Sequence, residues 1–289
     1  MLDKNLKICI VGLGLMGGSY AEALSSRGYE VGALARRSQT LDYAFQRGWI
    51  SSGETEVTKE YIEKFDLFVF ALYPHIFIEW IENYQQFFRP GTLITDVTGV
   101  KGSTVYKIQS ILRPDVEFIA AHPMAGREKS GIEYADSGIF EAANYIVTPT
   151  EKNTEKAIAV CEELGRTLGF KSVSRLCPEK HDEMIGFLSQ LTHCIAVSLM
   201  TCRDTDGFEK YTGDSFRDLT RIANINDEMW SELFLQNKEQ LLKQMELFSG
   251  TFEKLKEAIE NGDTEEMRAL MRLSTERRKN FNREEGTKK

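Results

Sequence analysis

The sequence predicts an α/β protein with an N-terminal parallel-sheet domain and a C-terminal all-helical domain. Two observations carry this prediction. Short apolar runs alternate with helix-like stretches through the first part of the chain, as in repeated strand–helix–strand units. From residue 178 onward the apolar positions recur only at helical spacing. We therefore divide the chain into residues 1–175 and residues 176–289, and a length of 289 residues is sufficient for two domains.

The first strand, residues 6–11, leads directly into the sequence GLGLMGG. Gly12, Gly14 and Gly17 form a GxGxxG motif between this strand and an apolar helix. In that order the glycines permit a tight turn, close approach of a pyrophosphate, and packing of the helix on the strand. The free N–H groups and the dipole of the helix N-terminus favour the anion. The N-terminal domain is therefore predicted to be of the Rossmann type and to bind a dinucleotide.

The second strand, residues 30–34, lacks the terminal acidic residue that binds the adenosine ribose in NAD-binding proteins. Ala35 occupies that place, and Arg36, Arg37 and Ser38 follow. Two guanidinium groups favour a 2′-phosphate, which a carboxylate would repel. We therefore expect NADP to be preferred over NAD. The alternative is a solvated arginine pair on a surface loop.

Tyr73 and Pro74 follow the carboxyl end of a third buried strand, residues 66–72. This place would border the nicotinamide, although packing alone explains Tyr73 equally well. His75 is expected to begin a helix rather than to bind a ligand. The expected cofactor-binding residues are Gly12, Leu13, Gly14, Leu15, Met16, Gly17, Ala35, Arg36, Arg37, Ser38, Tyr73 and Pro74. The further strands are predicted at residues 92–96, 118–121, 144–150 and 169–173, with helices at residues 75–88 and 154–168.

His122 is the candidate catalytic histidine. The apolar strand at residues 118–121 stops at His122-Pro123, because proline ends strand pairing. Arg127, Glu128 and Lys129 follow in the same loop, and loops at strand ends commonly hold the sites of α/β proteins. The alternative is a structural histidine at a strand end.

A long helix is predicted at residues 178–202. Steps of about 100° per residue separate two faces, of which we expect the apolar one to face the core and the polar one to approach a ligand. His193 on the polar face is either structural or ligand-facing. The apolar face holds Met184, Leu188, Leu191, Ile195 and Leu199, and the polar face holds Asp182, Gly186, Gln190, His193 and Val197.

Beyond this helix, Arg217 and Arg221 are four residues apart and would share a helical face. Amphipathic helices are predicted at residues 230–248 and 250–278. Their wide apolar faces favour contact with a second subunit, so we expect a homodimer.

Composition excludes several classes of function. A formal charge of −8 argues against a nucleic-acid partner. Five cysteines without metal-type spacing indicate free thiols in a reducing cytoplasm, with no disulfide framework and no metal. The N-terminus lacks the pattern of a signal peptide. We also expect no membrane span, because no apolar run approaches roughly 18 residues.

Along nearly its whole length the chain contains, in this order, the motifs GLGLMGGS, DVTGVKG, HPMAGREKSG, PEKHD followed by SQLTH, and DLTRIA. Together they resemble the prephenate/arogenate dehydrogenase family, in which they occur in the same order. The resemblance implies a nucleotide-binding domain, a helical dimerisation domain, and oxidative decarboxylation of prephenate or arogenate with NADP or NAD in tyrosine biosynthesis. We expect no regulatory domain after the helical one.

The resemblance also implies roles for individual residues. His122 would be catalytic, His193 would lie at the substrate or nicotinamide, and Arg221 would hold a substrate carboxylate. Glu128 and Asp218 would shape the mouth of the pocket. The remaining expected substrate-binding residues are Arg127, Arg217 and Gln190.

The chain departs from the family pattern at three places. Gly99 replaces a serine that helps to orient the histidine, and Thr98 beside it is expected to act in its stead. Gln190 and Thr192 stand in SQLTH where many relatives have SHLPH, and Arg127 replaces a smaller polar residue. We expect neutral His122 to accept a proton with an ordinary histidine pKa of roughly 6–7.

Two alternatives stay open. Another short hydroxyacid dehydrogenase would use a catalytic lysine in the helical domain, and residues 178–202 place none on the faces described above. A non-catalytic dinucleotide-binding sensor would bind cofactor without turnover.

Overall fold

A computed structural model describes residues 2–281 and places six parallel strands in one sheet. The strands are β1 (Ile8–Val11), β2 (Val31–Leu34), β3 (Ser52–Glu54), β4 (Leu67–Phe70), β5 (Leu93–Asp96) and β6 (Glu117–Phe118). Their order is β3-β2-β1-β4-β5-β6, so the direction of progression reverses between β1 and β4. Ligands of open α/β sheets bind at the carboxyl ends of the strands at such a reversal.

The sheet is covered on both faces, as the continuous apolar runs predict. Side chains alternate along β1: Ile8 and Ile10 pack into one hydrophobic cluster, whereas Cys9 and Val11 pack into another. The Rossmann-type prediction is therefore confirmed. The helices of this part are α1 (Leu15–Ser25), α2 (Ser38–Gln46), α3 (Lys59–Ile62), α4 (Pro74–Tyr84) and α5 (Gly102–Ile111).

A second sheet of three strands follows directly from β6. It contains β7 (Ala120–Pro123), β8 (Asn144–Thr148) and β9 (Ser172–Arg175), with α6 (Glu155–Leu168) between the last two. β7 is antiparallel to β8, and β8 is parallel to β9. The single strand predicted at residues 118–121 is thus wrong, because Phe118 ends one sheet and Ala120 begins the other. Pro123 is the last residue of β7, where the missing N–H is tolerated.

One long helix follows β9. It consists of α7 (Pro178–Ile185), a π-helical segment (Gly186–Leu191) and α8 (Thr192–Thr201). This helix is long and apolar enough to cross a membrane by length and composition alone, a test that core helices of soluble proteins also pass. The sequence-based statement that no segment approaches that length is therefore wrong.

The predicted core face of this helix is wrong in part. Leu191 is buried at 4% as predicted, but Met184 and Leu188 are 38% and 42% exposed, whereas Asp182 and Gln190 are buried at 6% and 1%. Two causes account for the reversal. The buried polar side chains are fully hydrogen-bonded, and the π-helical segment breaks the regular 100° step on which the prediction depended.

The helices after α8 begin and end at places that differ from the prediction. They are α9 (Asp214–Thr220), α10 (Asp227–Gln236), α11 (Lys238–Glu260) and α12 (Thr264–Arg278). Gly250, the predicted break, lies inside α11, and the helices break instead at Asn237 and at residues 261–263. The Asn237 side chain donates to the Asp182 carbonyl (2.9 Å) and to Gln190 Oε1 (2.7 Å), which holds the first break in place. The chain forms two compact units, residues 1–238 and residues 239–289, and the described part of the second contains most of α11 and all of α12.

Candidate active site

The glycine motif forms a cradle that fits a dinucleotide pyrophosphate. Gly12 has φ +95°, and a Cβ there would lie 2.6 Å from the Ala71 carbonyl oxygen. A Cβ on Gly17 would lie 1.8 Å from the Gly12 carbonyl oxygen, so α1 packs directly on the turn. Gly14 precedes α1 and has open space where a Cβ would stand, with no atom within 4 Å. Backbone N–H groups at the helix N-terminus are therefore accessible to an anion.

The remaining residues of the motif serve mainly the core. The side chains of Leu13 and Leu15 are buried at 5% and 8% exposure, and Met16 packs against the hydrophobic core. Only their backbone groups can therefore face a pyrophosphate.

The loop after β2 presents two cations. Ala35 is half-buried and donates its N–H to the Glu54 carbonyl (3.2 Å). Arg36, Arg37 and Ser38 are exposed, and Ser38 begins α2. Within residues 2–281 neither guanidinium makes a hydrogen bond or an ion pair. Both are thus available to a phosphate group.

The segment after β4 connects to α10. Tyr73 precedes α4 and its hydroxyl accepts from Asn226 Nδ2 (3.3 Å), while Pro74 occupies the first helical position. His75 lies in the first turn of α4, as expected, but it also binds Glu232 through its backbone N–H (2.9 Å) and its Nδ1 (2.7 Å). This contact joins α4 to α10.

His122 lies near the end of β7 and begins a chain of three side chains. Its Nδ1 is 2.8 Å from His181 Nε2, and His181 Nδ1 is 2.8 Å from Asp182 Oδ1. His181 is completely buried, whereas His122 retains partial exposure. The other ring nitrogen of His122, Nε2, is 3.9 Å from the place where a Cβ of Gly99 would stand.

Asp182 fixes this chain to the N-terminus of α5. Its Oδ1 accepts the backbone N–H of Lys101 (2.8 Å), and its Oδ2 accepts the backbone N–H of Gly102 (2.7 Å). An anion at a helix N-terminus is stabilised by the free N–H groups and by the dipole. The carboxylate therefore joins α7 to α5 and holds His181 in place.

A buried ion pair lies behind His122. Lys101 Nζ donates to Asp96 Oδ1 (2.9 Å) and Oδ2 (2.8 Å), and both side chains are 0% exposed. Lys101 Nζ also donates to the Ala121 carbonyl (2.6 Å), and Asp96 Oδ1 accepts the Ala121 N–H (3.1 Å). The residue before His122 is thus held by both its peptide groups.

Thr98 belongs to this ion-pair network. Its hydroxyl contacts Asp96 Oδ2 and the Val100 carbonyl (3.2 Å), and it accepts from Lys101 Nζ (3.2 Å). The expectation that Thr98 acts directly on His122 in place of the missing serine is therefore corrected. Its hydroxyl already binds Asp96 and Lys101. These two residues hold the peptide groups of Ala121, the residue before His122.

These surroundings keep the histidine rings neutral. Burial lowers the pKa of His122 well below its ordinary value, and His181 and the Lys101 cation lower it further. Burial also lowers the pKa of His181, although the bond to Asp182 opposes this shift. Burial depresses the Lys101 pKa, which Asp96 partly restores. A neutral imidazole is an acceptor at one nitrogen, which is what a general base requires.

His193 stacks on Trp230, with ring centroids 3.7 Å apart and an interplanar angle of 29°. Its Nδ1–H donates to the Ser189 carbonyl (2.9 Å), so Nε2 is left to accept. Burial lowers the His193 pKa, and the charges of Glu128 and Arg221 also act on it. His193, Glu128 and Arg221 therefore lie in one electrostatic neighbourhood.

The structure gives the expected substrate-binding residues different surroundings. Arg221 forms an ion pair with Glu128, which joins the loop after β7 to the turn after α9. Arg127 pairs with Asp136 (2.6 Å). Arg217 binds Asp214 (3.1 Å) and the Thr212 carbonyl (3.1 Å), and Asp218 is exposed.

Gln190 has a structural position instead of the ligand-facing one predicted. Its Nε2 donates to the Leu233 carbonyl (2.8 Å) and its Oε1 accepts from Asn237 (2.7 Å). The amide is 1% exposed and secures α10 against the π-helical segment. These contacts are structural and do not support the predicted role of Gln190 in substrate binding.

Sequence reasoning missed the residues that surround His122. They are Asp96, Lys101, His181 and Asp182 as a partner of His181, and it also missed Trp230, which stacks on His193. Lys101 could have been found, because a lysine in a largely buried segment requires a carboxylate partner and Asp96 ends the preceding strand. The contact between His122 and His181 could not, since it joins two elements 59 residues apart.

A Rossmann-type sheet, an anion cradle at the reversal of strand order and a histidine whose pKa is lowered by burial are together typical of a nicotinamide-dependent oxidoreductase. Profiles of the prephenate dehydrogenase family match the chain in two parts. The nucleotide-binding domain matches residues 21–174 and the dimerization domain matches residues 177–273. The chain belongs to the prephenate dehydrogenase family.

Similar proteins extend over most of the chain. The prephenate dehydrogenase of Bacillus subtilis is 28% identical, covering 90% of this chain and 72% of that protein. The prephenate dehydrogenase of Lactococcus lactis subsp. cremoris is 30% identical, covering 90% and 73%. The crystal structure of prephenate dehydrogenase from Aquifex aeolicus in complex with hydroxyphenyl propionate and NAD+ is 30% identical, with a TM-score of 0.85, covering 95% of this chain and 98% of that chain.

Proposed function

We propose that this protein oxidatively decarboxylates prephenate or arogenate, with hydride transfer to a nicotinamide dinucleotide, in tyrosine biosynthesis. One observation carries the proposal within this family: burial lowers the pKa of His122, and its Nε2 lies 3.9 Å from the place where a Cβ of Gly99 would stand. Both substrates carry a ring hydroxyl at the carbon that loses hydride, so the reaction needs a proton acceptor there.

His122 supplies that acceptor. As hydride leaves the hydroxyl-bearing carbon, that carbon becomes carbonyl-like, the O–H becomes more acidic and its proton moves to Nε2. Loss of CO₂ from the opposite ring carbon delivers the bond's electron pair to the ring, and the oxygen regains its proton as the ring becomes aromatic. The nicotinamide, when bound, takes up the hydride. The protein need only align the reactants and hold the proton.

Arg221 is proposed to bind a substrate carboxylate in a two-pronged contact. It pairs with Glu128 here and lies near His193. An entering carboxylate would replace the Glu128 carboxylate on the guanidinium. Glu128 and Asp218 would then shape the mouth of the pocket.

We propose NADP as the preferred cofactor. The relative from Aquifex aeolicus is described with NAD+, so the family fold accepts that cofactor. In this chain Ala35 offers no carboxylate to the ribose hydroxyls, and exposed Arg36 and Arg37 follow it. These cations favour a 2′-phosphate by charge-assisted hydrogen bonds.

We also propose that the boundary between the two domains lies between residues 175 and 176.

A homodimer is proposed from the apolar surface of the helical segments. In α7 and the π-helical segment, Met184, Phe187 and Leu188 are 38%, 54% and 42% exposed. In the second compact unit, Leu247 and Phe252 are 62% and 60% exposed. Surfaces this apolar are typical of subunit interfaces. The match to a dimerization domain supports the proposal.

Steady-state kinetics test the function. Purified protein is mixed with NADP or NAD and with prephenate or arogenate, and the absorbance of the reduced nicotinamide is followed. His122→Asn should lose roughly 10²–10⁴-fold in kcat and keep cofactor binding. His75→Asn, in the exposed histidine of α4, is the matched control and should stay within a few-fold of wild type. Cofactor binding without turnover of either substrate would favour the non-catalytic sensor.

A further inference from the structure

The side chains behind His122 have a fixed direction of hydrogen-bond donation. The Asp182 carboxylate accepts the backbone N–H groups of Lys101 and Gly102, two donors that cannot reverse. A carboxylate has no proton to donate, so His181 Nδ1 at 2.8 Å must carry the hydrogen of that bond.

The direction passes from His181 to His122. A neutral imidazole protonated at Nδ1 has a lone pair at Nε2. His181 Nε2, 2.8 Å from His122 Nδ1, therefore accepts, and His122 Nδ1 donates. The second proton-binding position of neutral His122, Nε2, is then an unprotonated acceptor that faces Gly99.

We infer that His181 and Asp182 are positioning residues that fix the tautomer of His122, so that Nε2 is the base of the reaction. The inference rests on the proposed function. Neither residue needs to touch substrate or cofactor, since both act through the ring of His122.

Burial makes this control effective. His181 is 0% exposed and both of its ring nitrogens are engaged, so bulk water has no access to offer a different partner. The family serine that would orient His122 from the front is Gly99 here. Orientation in this chain therefore depends on the partner at Nδ1.

The same two side chains, His181 and Asp182, stabilise His122 once it has taken a proton. The imidazolium keeps its Nδ1–H on His181, which in turn donates to the Asp182 carboxylate. The Lys101 cation, although paired with Asp96, disfavours this imidazolium and so helps to keep His122 neutral before the proton is transferred. Nε2 of His122 is thus fixed as the acceptor and stays unprotonated until a proton is transferred to it.

The test is the tautomer of His122, read from the side-chain ¹⁵N chemical shifts of histidine-labelled protein at neutral pH. The chain has four histidines, and His122→Asn identifies the signals of His122 by their loss. We expect Nδ1 of His122 to be protonated and Nε2 to be unprotonated in the wild type.

Two substitutions of His181 test the cause. His181→Phe keeps a planar ring but removes the acceptor, so the Nε2–H tautomer of His122 should appear. The value of kcat should fall about tenfold or more, bounded by the roughly 10²–10⁴-fold contribution of a general base, with KM and cofactor affinity little changed. His181→Gln offers an amide oxygen to Nδ1 of His122 and should recover part of the wild-type tautomer and part of kcat. Glu179→Gln, on the same helix and bound to Tyr106, is the control and should change neither.

The outcomes separate this inference from the proposed function. A wild-type His122 protonated at Nε2, or a His181→Phe variant with unchanged tautomer and kcat, would overturn the inference while the enzyme stays active. If His181→Phe does not fold, the wild-type spectrum decides. If neither substrate is turned over and the tautomer is nevertheless as expected, the proposed function alone fails.

Discussion

The buried ion pair behind His122 yields a quantitative prediction. Lys101 Nζ makes three contacts of 2.6–2.9 Å, two to Asp96 and one to the Ala121 carbonyl, from a side chain with no exposure. Lys101→Met preserves much of the volume and removes the charge. It leaves the Asp96 carboxylate buried without its cation and the Ala121 carbonyl without its donor.

The expected cost is large. Breaking a buried pair by removal of one partner costs about 3–5 kcal/mol, because the remaining charge stays desolvated. Asp96 keeps two backbone donors, Thr98 N–H (3.1 Å) and Ala121 N–H (3.1 Å), which favours the lower half of that range. Since Ala121 directly precedes His122, kcat should fall more than KM rises.

Urea unfolding followed by tryptophan fluorescence measures this cost. The three tryptophans, Trp49, Trp80 and Trp230, all lie in the compact unit that contains the ion pair. Lys107→Met in α5 is the matched control, because Lys107 pairs with Glu82 (3.0 Å) at the surface. Exposed pairs contribute about 0–1 kcal/mol, so the control should change little. A Lys101→Met variant within about 1 kcal/mol of wild type and with normal kcat would refute the reasoning.

Three further predictions concern the cofactor and the substrate. Arg36→Asp should weaken NADP at least tenfold and NAD much less, because each lost charge-assisted bond is worth about 1.5–3 kcal/mol; equal weakening of both in a titration would contradict the assignment. Arg221→Lys should raise KM more than it lowers kcat in steady-state assays, since lysine cannot form the two-pronged contact, and an unchanged KM would exclude Arg221 as the carboxylate ligand. Gly14→Ala should keep the thermal midpoint but weaken cofactor binding, whereas Gly17→Ala should lower the midpoint, because its Cβ would lie 1.8 Å from a carbonyl oxygen. The reverse pattern in a melting experiment would disprove the cradle geometry.

The sequence predicted the parts of the fold that depend on local pattern. The GxGxxG turn, the buried parallel strands and the succession of helices after β9 follow from spacing and apolar runs, and all are confirmed. The loop after β2 with its two exposed arginines also lies where the motif order places it.

The errors arose where tertiary contacts override that pattern. In the long helix, the polar face is buried because Asp182 caps α5 and Gln190 binds α10, and the π-helical segment alters the regular step. The break at Asn237 exists because its side chain binds residues about 50 positions earlier. The role of His181 likewise depends on a neighbour that only the folded chain brings within reach.

The last prediction concerns acid. A histidine of ordinary pKa would lose its base function as the pH falls through about 6.5. Here burial, His181 and the Lys101 cation lower the pKa of His122 well below that value. The ordinary histidine pKa expected from the sequence would make kcat fall between about pH 7 and pH 6. With the lowered pKa of His122, kcat should instead stay level through that range and decline only at lower pH.

As the pH falls, the stability of the fold should decrease before kcat does. The pKa values of His122, His181 and His193 are all lowered in the fold, chiefly by burial. In the unfolded chain each histidine takes up a proton near pH 6.5, which the folded state resists, so stability is full above that pH and is lost as the pH falls. The urea midpoint should therefore drop between about pH 7 and pH 5.5 while kcat of the folded enzyme is still unchanged. Measured together over that interval, a kcat that falls in parallel with the midpoint would show that His122 titrates as an ordinary histidine.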